Sequence, residues 1–441
     1  MNQAENRQSF VLLISIDGMA NYNLEDPNVK MPNLRGLMKQ GATTKALVSV
    51  CPTATWAIHS SLVTGTYPRK HGVLGNWVID RRTGTFGEYF GDRMYRQKDV
   101  LKVPTIHDVA KQQGWTTASI CWPVTRESIS IDYNIPEFYD QKLFEAYSTP
   151  SLWNGLREAG LPIEQYGSWS LDRARVHMQD WLSTEVAKFV IQKHKPNLLT
   201  LHYLLPDSMQ HDYGTCSREA YWALEYIDER IGDLIATLKS EEIWDDTHIF
   251  VVSDHGFVDT AMDLYINVLF KNKGWLDPDH SPNTKVIAAS NGGIGFVYIL
   301  EEDESKKKAL LAEVYLLLAQ TEGINTIFEE EQFPSLGLPA IGEMEHQRPD
   351  LVFEAELDCF IRYEIGEEEI VKPSKFKGMH GYLPNHEDLK AIFVAAGPSI
   401  QSGIVLPEAN LVDVAPTITS LIEGAQLPDA DGHCLPIWKS D

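Results

Sequence analysis

Three aspartates and three histidines of this chain fall where loops leave apolar runs. Asp17-Gly18 follows the run Phe10–Ile16. Pro206-Asp207-Ser208-Met209-Gln210-His211 follows Leu198–Tyr203, and Ser253-Asp254-His255-Gly256 follows residues 248–252. Gly378-Met379-His380-Gly381 precedes residues 391–395. Carboxylate oxygen and imidazole nitrogen are hard and borderline donors, the set that holds a divalent cation. Each residue alone has an ordinary reading. A strand-end aspartate caps a turn, and Asp207 and His211 simply share one face of a helical turn. Together they carry more, because packing gives no reason for a metal donor at several independent strand ends. A seventh group belongs with them. In Cys51-Pro52-Thr53-Ala54-Thr55-Trp56, Thr55 stands just before a predicted helix over residues 56–64. There it can serve as an N-cap hydroxyl, or as a nucleophile beside an anion held by the helix N-terminus. A hydroxyl needs activation for the second role, and a bound cation supplies it. Thr53 is the rival on chemistry alone.

Elements that can position such groups are legible. The strands are expected at Phe10–Ile16, 46–50, 116–121, Leu198–Tyr203, 248–252 and 391–395. Helices are expected at 31–40 (closed by Gly41 beyond its C-terminus), 56–64, 171–193 and 218–239. Near-continuous apolar strands separated by helices predict an α/β fold with a mostly parallel sheet covered on both faces. In such sheets ligands gather at the carboxyl ends of the strands. Residues 260–375 read differently. They carry a strand at 295–300, a helix at 305–320 followed by Gly323, a strand at Ile324–Phe328 and a Glu-rich run ending in Glu367–Glu369. This predicts a smaller α+β insert, with residues 1–259 and 376–441 forming the catalytic domain.

Composition bounds the partners. There are 38 basic and 62 acidic residues, a net charge of −24, in a chain that is 43% hydrophobic. That sign disfavours nucleic acid and anionic membranes, so a phosphate substrate requires local cations. No run reaches a membrane span. The N-terminus lacks a signal-peptide pattern. Five scattered cysteines without a CxxC pair fit reduced thiols in the cytoplasm. Sequence gives no reading of oligomeric state.

Taken in order, Ile-Asp17-Gly, Pro-Thr-Ala-Thr55, His71-Gly-Val-Leu-Gly-Asn76, Pro-Asp207-Ser-Met-Gln-His211, Ser-Asp254-His255-Gly and Met-His380-Gly-Tyr382 resemble the alkaline phosphatase superfamily. The resemblance is to its type I phosphodiesterase/nucleotide pyrophosphatase branch, with phosphonoacetate hydrolase as a relative, and it runs from Asp17 through about residue 421. It implies a three-layer αβα sandwich. It implies that Asp207, His211 and His380 hold one metal, that Asp17, Asp254 and His255 hold the other, and that Thr55 is both nucleophile and ligand. Asn76 would donate to a phosphoryl oxygen. Two zinc ions are the implied cofactors, with manganese or iron also suited to the donors. The implied activity is hydrolysis of a phosphate diester or pyrophosphate through a phosphothreonine. A phosphonoacetate-type C–P hydrolase, with a base such as Arg126 for the substrate carboxylate, is the alternative, as is a phosphomonoesterase. A non-catalytic metal-binding module is the weakest. Cys51-Pro-Thr-Ala is superficially similar to a sulfatase signature but lacks its arginine. Trp56, Trp77 and Tyr382 flank the site residues in sequence and are candidates for a substrate pocket around a small phosphate ester or phosphonate.

Overall fold

The computed structural model describes residues 9–82, 85–88 (backbone only), 96–278, 283–366 and 368–440. The polar N-terminal residues 1–8 and Glu367 of the acidic run lie outside them. Twelve strands form the two larger sheets: β1 (Phe10–Ile16), β2 (Ala42–Thr44), β3 (Thr117–Trp122), β4 (Tyr133–Pro136), β5 (Leu198–Tyr203), β6 (Thr247–Ser253), β7 (Val286–Ser290), β8 (Ile294–Ile299), β9 (Ile324–Phe328), β10 (Leu351–Ala355), β11 (Phe393–Ala396) and β12 (Ile404–Leu406).

The first of these sheets runs β12-β2-β11-β6-β1-β5-β3-β4. Its pairs are parallel except those of β11, which is antiparallel to β2 and β6. At its centre, β1 shows why the apolar run is unbroken. Phe10, Leu12, Ile14 and Ile16 enter one core, while Val11 and Leu13 enter the other. A strand buried on both faces has no solvent side to make polar. The first core is closed by helices α1 (Pro32–Gln40), α3 (Val176–His194) and α5 (Arg218–Ser240), which supply Leu34, Val186 and Ile227. The second is closed by α2 (Thr55–Thr64) and the helix Val414–Thr419, through Ile58, Leu62 and Ile418. This is the expected three-layer αβα sandwich. Register does the positioning: Ile16 pairs with both Tyr203 and Ser253. The chain therefore leaves β1, β5 and β6 side by side, at Asp17, at Asp254, and at the helix α4 (Leu205–Tyr213) that carries Asp207 in its first turn.

The second sheet is antiparallel in the order β7-β8-β10-β9, with the helix Glu304–Ala319 beside it. Among the described residues no helix is long and apolar enough to cross a membrane.

Several expectations are corrected. The strand expected at 46–50 is only Leu47–Val48, paired with Ala409–Asn410 outside the main sheet, and β2 takes the sheet position. Ser49 instead turns toward the site, its hydroxyl donating to the Asp254 carbonyl at 2.8 Å. The helix expected from 171 starts at Val176, after a 3-10 turn capped by Asp172. Gly41 ends α1, but with φ −140° and not in the left-handed region. It is glycine because a Cβ would sit 1.9 Å from the Ala395 carbonyl oxygen of β11. Gly41→Ala is expected to cost about 1–3 kcal/mol, the usual penalty of overpacking, read by chemical denaturation. Of the cysteines, Cys51, Cys121 and Cys359 are buried, while Cys216 and Cys434 are exposed; all are free thiols.

Candidate active site

The loops leaving β1, β5 and β6, together with the 378–381 segment, meet at the carboxyl edge of the sheet. Two of the groups that form there are Asp207, His211 and His380, and Asp17, Asp254 and His255, each with its donor atoms within 4.8 Å of one another; a third, His59, His202 and Asp254, shares Asp254 with the second. In the first, Asp207 Oδ1 lies 3.3 Å from His211 Nε2 and 3.5 Å from His380 Nε2. In the second, His255 Nε2 lies 3.4 Å from Asp17 Oδ1 and 3.3 Å from Asp254 Oδ2. The imidazoles are aimed by their other nitrogens. His211 Nδ1 donates to the Gly378 carbonyl at 2.9 Å, His255 Nδ1 to Gly256 at 3.0 Å, and His380 Nδ1 to Thr53 at 2.8 Å. That leaves each Nε2 as a lone pair facing a carboxylate. Asp254 is fixed by its Oδ1, which accepts from Gly18 N at 3.0 Å and His255 N at 2.9 Å. The rings of His255 and His380 stack at 3.8 Å, joining the two groups.

These atoms fit cations. Asp17 Oδ1, Asp207 Oδ1, Asp254 Oδ2 and His255 Nε2 are buried and find no hydrogen-bond partner. Such orphans are costly unless something else satisfies them. The electrostatics agree. Burial, then the charges of Asp254 and Asp207, push the Asp17 carboxyl well above the usual range, and burial raises Asp254. Burial also lowers His255 to about 4 and His380 to about 3. Asp207 goes the other way: burial opposes its charge, but the His211 imidazole outweighs that and holds the carboxyl low. Carboxylates that resist charge beside imidazoles that resist protons are reconciled by a divalent ion.

Thr55 is the first residue of α2, and the N-cap is Ala54, which offers no side-chain cap. The capping role expected for Thr55 is thereby corrected, and its side chain lines the cleft with Asn76. Asn76 Oδ1 accepts the Trp56 N–H at 2.9 Å, which leaves its NH2 group as the free-facing donor. The rival, Thr53, is occupied. Its hydroxyl donates to the Tyr382 carbonyl at 2.9 Å and accepts from Gly381 N at 2.9 Å. His71 is buried, with Nε2 3.0 Å from Ser61 Oγ and Nδ1 accepting from Val73 N at 3.1 Å, and so holds the loop that delivers Asn76.

The cleft encloses about 420 Å³ and is walled also by Trp77, Glu137, Tyr139, Arg173, Tyr363 and Phe376. A family model described as type I phosphodiesterase / nucleotide pyrophosphatase matches residues 11–383. The chain belongs to that family. This phosphodiesterase-family chain is an enzyme, a hydrolase of phosphodiester or pyrophosphate bonds, and its family is metal-dependent. It is 25% identical over 418 residues to bis(5'-adenosyl)-triphosphatase ENPP4 of Bos taurus, covering 93% of this chain and 78% of that protein. It is 24% identical over 454 residues to ectonucleotide pyrophosphatase/phosphodiesterase family member 7 of Rattus norvegicus, covering 97% of this chain and 86% of that one. Its fold is similar to that of murine ectonucleotide pyrophosphatase / phosphodiesterase 5, with a TM-score of 0.70 at 19% identity over 96% of this chain and 97% of that one.

Within this phosphodiesterase fold, two of the aromatic candidates are corrected. Trp56 and Tyr382 are buried in the cores and do not wall the cleft, whereas Trp77 does. Tyr382 spends its hydroxyl on the Cys359 carbonyl at 2.8 Å. Arg126 is also outside the cleft wall, bonded to the Tyr147 hydroxyl and stacked on that ring. Three residues near the site have no counterpart among the sequence candidates. His202, on β5, has Nε2 3.2 Å from Asp17 Oδ2. His59 joins the Thr55 carbonyl at 2.8 Å to Ser15 Oγ at 2.9 Å, so both its nitrogens are taken. Glu137 lines the cleft. A polar residue in an apolar strand, such as His202 in Leu-His-Tyr, is the one signal the sequence offers for them.

Proposed function

We propose that Thr55 is the nucleophile of a two-step hydrolysis of a phosphate diester or pyrophosphate, with a phosphothreonine between the steps. The observation that supports this best is the convergence of six donors, four of them with orphaned buried atoms, at one edge of the sheet, where Asp17, Asp207, His211 and His380 line the same cleft as Thr55 and Asp254 and His255 lie buried behind it. Asp207, His211 and His380 would hold one divalent ion, and Asp17, Asp254, His255 and Thr55 the other. Zinc suits these nitrogen and oxygen donors, as do manganese and iron. When bound, such ions supply positive charge for the phosphoryl group and a lowered pKa for the attacking hydroxyl. The chain's own residues do the rest. The bond from Thr55 Oγ to phosphorus forms as the bond to the leaving oxygen breaks. Water then adds its oxygen to phosphorus as the bond from phosphorus to Thr55 Oγ1 breaks, and a proton given up by that water restores the threonine hydroxyl. Asn76 directs its NH2 at a non-bridging oxygen, where charge grows in the transition state. Trp77 flanks the leaving group.

The relatives' names point the same way: a bis(5'-adenosyl)-triphosphatase, nucleotide pyrophosphatases, and an inactive murine ENPP5 variant in complex with AMP. We propose a small nucleotide-like or other phosphate ester as substrate, without nucleic acid or membrane as partner. Residues 260–375 act in this reading as a cap, because Ser290, Asn291, Phe360 and Tyr363 wall the cleft. Cytoplasmic residence, read from the thiols, is a separate proposal; the relatives' names mark them as ectoenzymes, and cell fractionation decides between the two.

Metal analysis with a three-substrate panel tests the activity. We expect about two ions per chain. We also expect a bis-aryl phosphate to be cleaved with kcat/KM at least about tenfold above an aryl monophosphate, a preference worth roughly 1.4 kcal/mol in the transition state, and phosphonoacetate to be left intact. Monophosphate as the better substrate, or phosphonoacetate cleavage, sinks the diester reading.

A further inference from the structure

Glu137 is a cleft acid to which the reaction at Thr55 gives no task. It leaves the carboxyl end of β4 by one residue, as Asp17 leaves β1, but it is outside both ligand groups. It is only 4% exposed, yet it lines the cleft, and its Oε2 is buried without a hydrogen-bond partner. Burial pushes its carboxyl up to about 8, with the charges of Asp254 and Asp207 adding to the effect.

The surroundings define what would satisfy it. Among the described residues, Arg173 is the only Lys or Arg on the cleft wall. It is held by Asp212 at 2.5 Å and lies over the Phe376 ring at 5.0 Å. The neighbouring wall is aromatic: Trp77, Tyr139, Tyr363 and Phe360. A buried acceptor on such a wall fits an organic arm that carries a donor. An ammonium on that arm would draw the proton off the carboxyl and hold it ionised, whereas a second phosphate would add to the negative charges that already raise it, and Arg173 is already paired with Asp212.

We propose that Glu137 is a specificity-determining residue that accepts a hydrogen bond from a hydroxyl or primary ammonium on the substrate, and so selects diesters whose arm carries a donor over those whose arm carries none. This rests on the phosphodiester reading above. A polar site left unpaired by the wrong ligand discriminates strongly, whereas an apolar contact barely does.

Three nitrophenyl phosphodiesters test it on the metal-loaded enzyme: the propyl, hydroxypropyl and aminopropyl esters. The native enzyme is expected to prefer both donor-bearing esters to the propyl ester by about tenfold in kcat/KM, the scale of one net hydrogen bond. Glu137→Ala should bring both ratios close to one. Glu137→Gln, which keeps the shape and serves if the alanine variant does not fold, should keep the hydroxypropyl preference and lose the aminopropyl one. Equal rates on all three esters with the native enzyme overturn the proposal. So does an alanine variant that slows all three alike, which would put Glu137 at the reacting centre. Failure of the diester reading looks different: nitrophenyl monophosphate is then cleaved and none of the three diesters is.

Discussion

Thr55→Ala is expected to lower kcat on a bis-aryl phosphate by at least about 10³-fold, the scale on which enzymes lose turnover with their nucleophile. Metal content should stay unchanged, because the six side-chain donors remain. Stability should barely move either. Thr55 is the first helical residue and not the cap, and alanine is a better helix former. The informative comparison is Thr53→Ala. That hydroxyl ties Tyr382 and Gly381 to the segment whose Thr53 carbonyl aims His380. Its loss should destabilise the fold by about 1–3 kcal/mol, as an unpaired buried group does, and should loosen one ion without abolishing turnover. Kinetics, metal analysis and thermal melts on the two variants separate the roles. A Thr55→Ala enzyme with near-native turnover would remove the proposed mechanism.

Asp207→Ala should produce the complementary pattern. Asp207 Oδ1 is the point that His211 and His380 both face, so removing it takes the anion out of that group. We expect the bound metal to fall from two ions to about one per chain and kcat to drop by more than about 100-fold, beyond the loss typical of residues that only support a ligand. The ionised Asp207 is also a stability term. Its folded carboxyl is held below the unfolded value, so its contribution is present above the unfolded pKa and fades as pH falls through the folded one. The alanine variant should therefore lose less stability on acidification than the native enzyme. Retention of both ions would show that the grouping of ligands is wrong.

What could be read from sequence divides along physical lines. The strands β1 and β5 were visible because burial on both faces writes an unbroken apolar run, and their ends were visible because a charged residue comes soon after. The donors at Asp17, Asp207, His211, Asp254, His255 and His380 inherited that clarity. Direction was not visible. Trp56 comes directly after Thr55 in α2, and one helical step of about 100° takes it from the cleft to the core. Tyr382 is likewise next to the site in sequence and sealed away from it. Glu137 was silent because one acid after a short strand is what any turn offers. Gly41 looked like a helix stop and is instead a space left for β11. Contacts made by distant segments set all of these.

The turn between β7 and β8 has a consequence for how this enzyme could be rebuilt. Asn291 accepts from Trp77 N at 3.0 Å and donates to the Trp77 carbonyl at 3.0 Å, so it grips the segment that presents Asn76. Next to it, Gly293 N donates to the His380 carbonyl at 3.0 Å, and a Cβ on Gly292 would come within 2.1 Å of that same oxygen. One four-residue corner of the second sheet, Ser290 to Gly293, thus braces both the segment of Asn76, the proposed phosphoryl-binding amide, and the backbone of His380, a proposed metal ligand. Grafting in a foreign cap to acquire a new substrate would carry this brace away with the old one. A chimera joined outside residues 290–293 should inherit its donor's specificity and lose its own metal affinity, whereas one that keeps this corner native can exchange the rest.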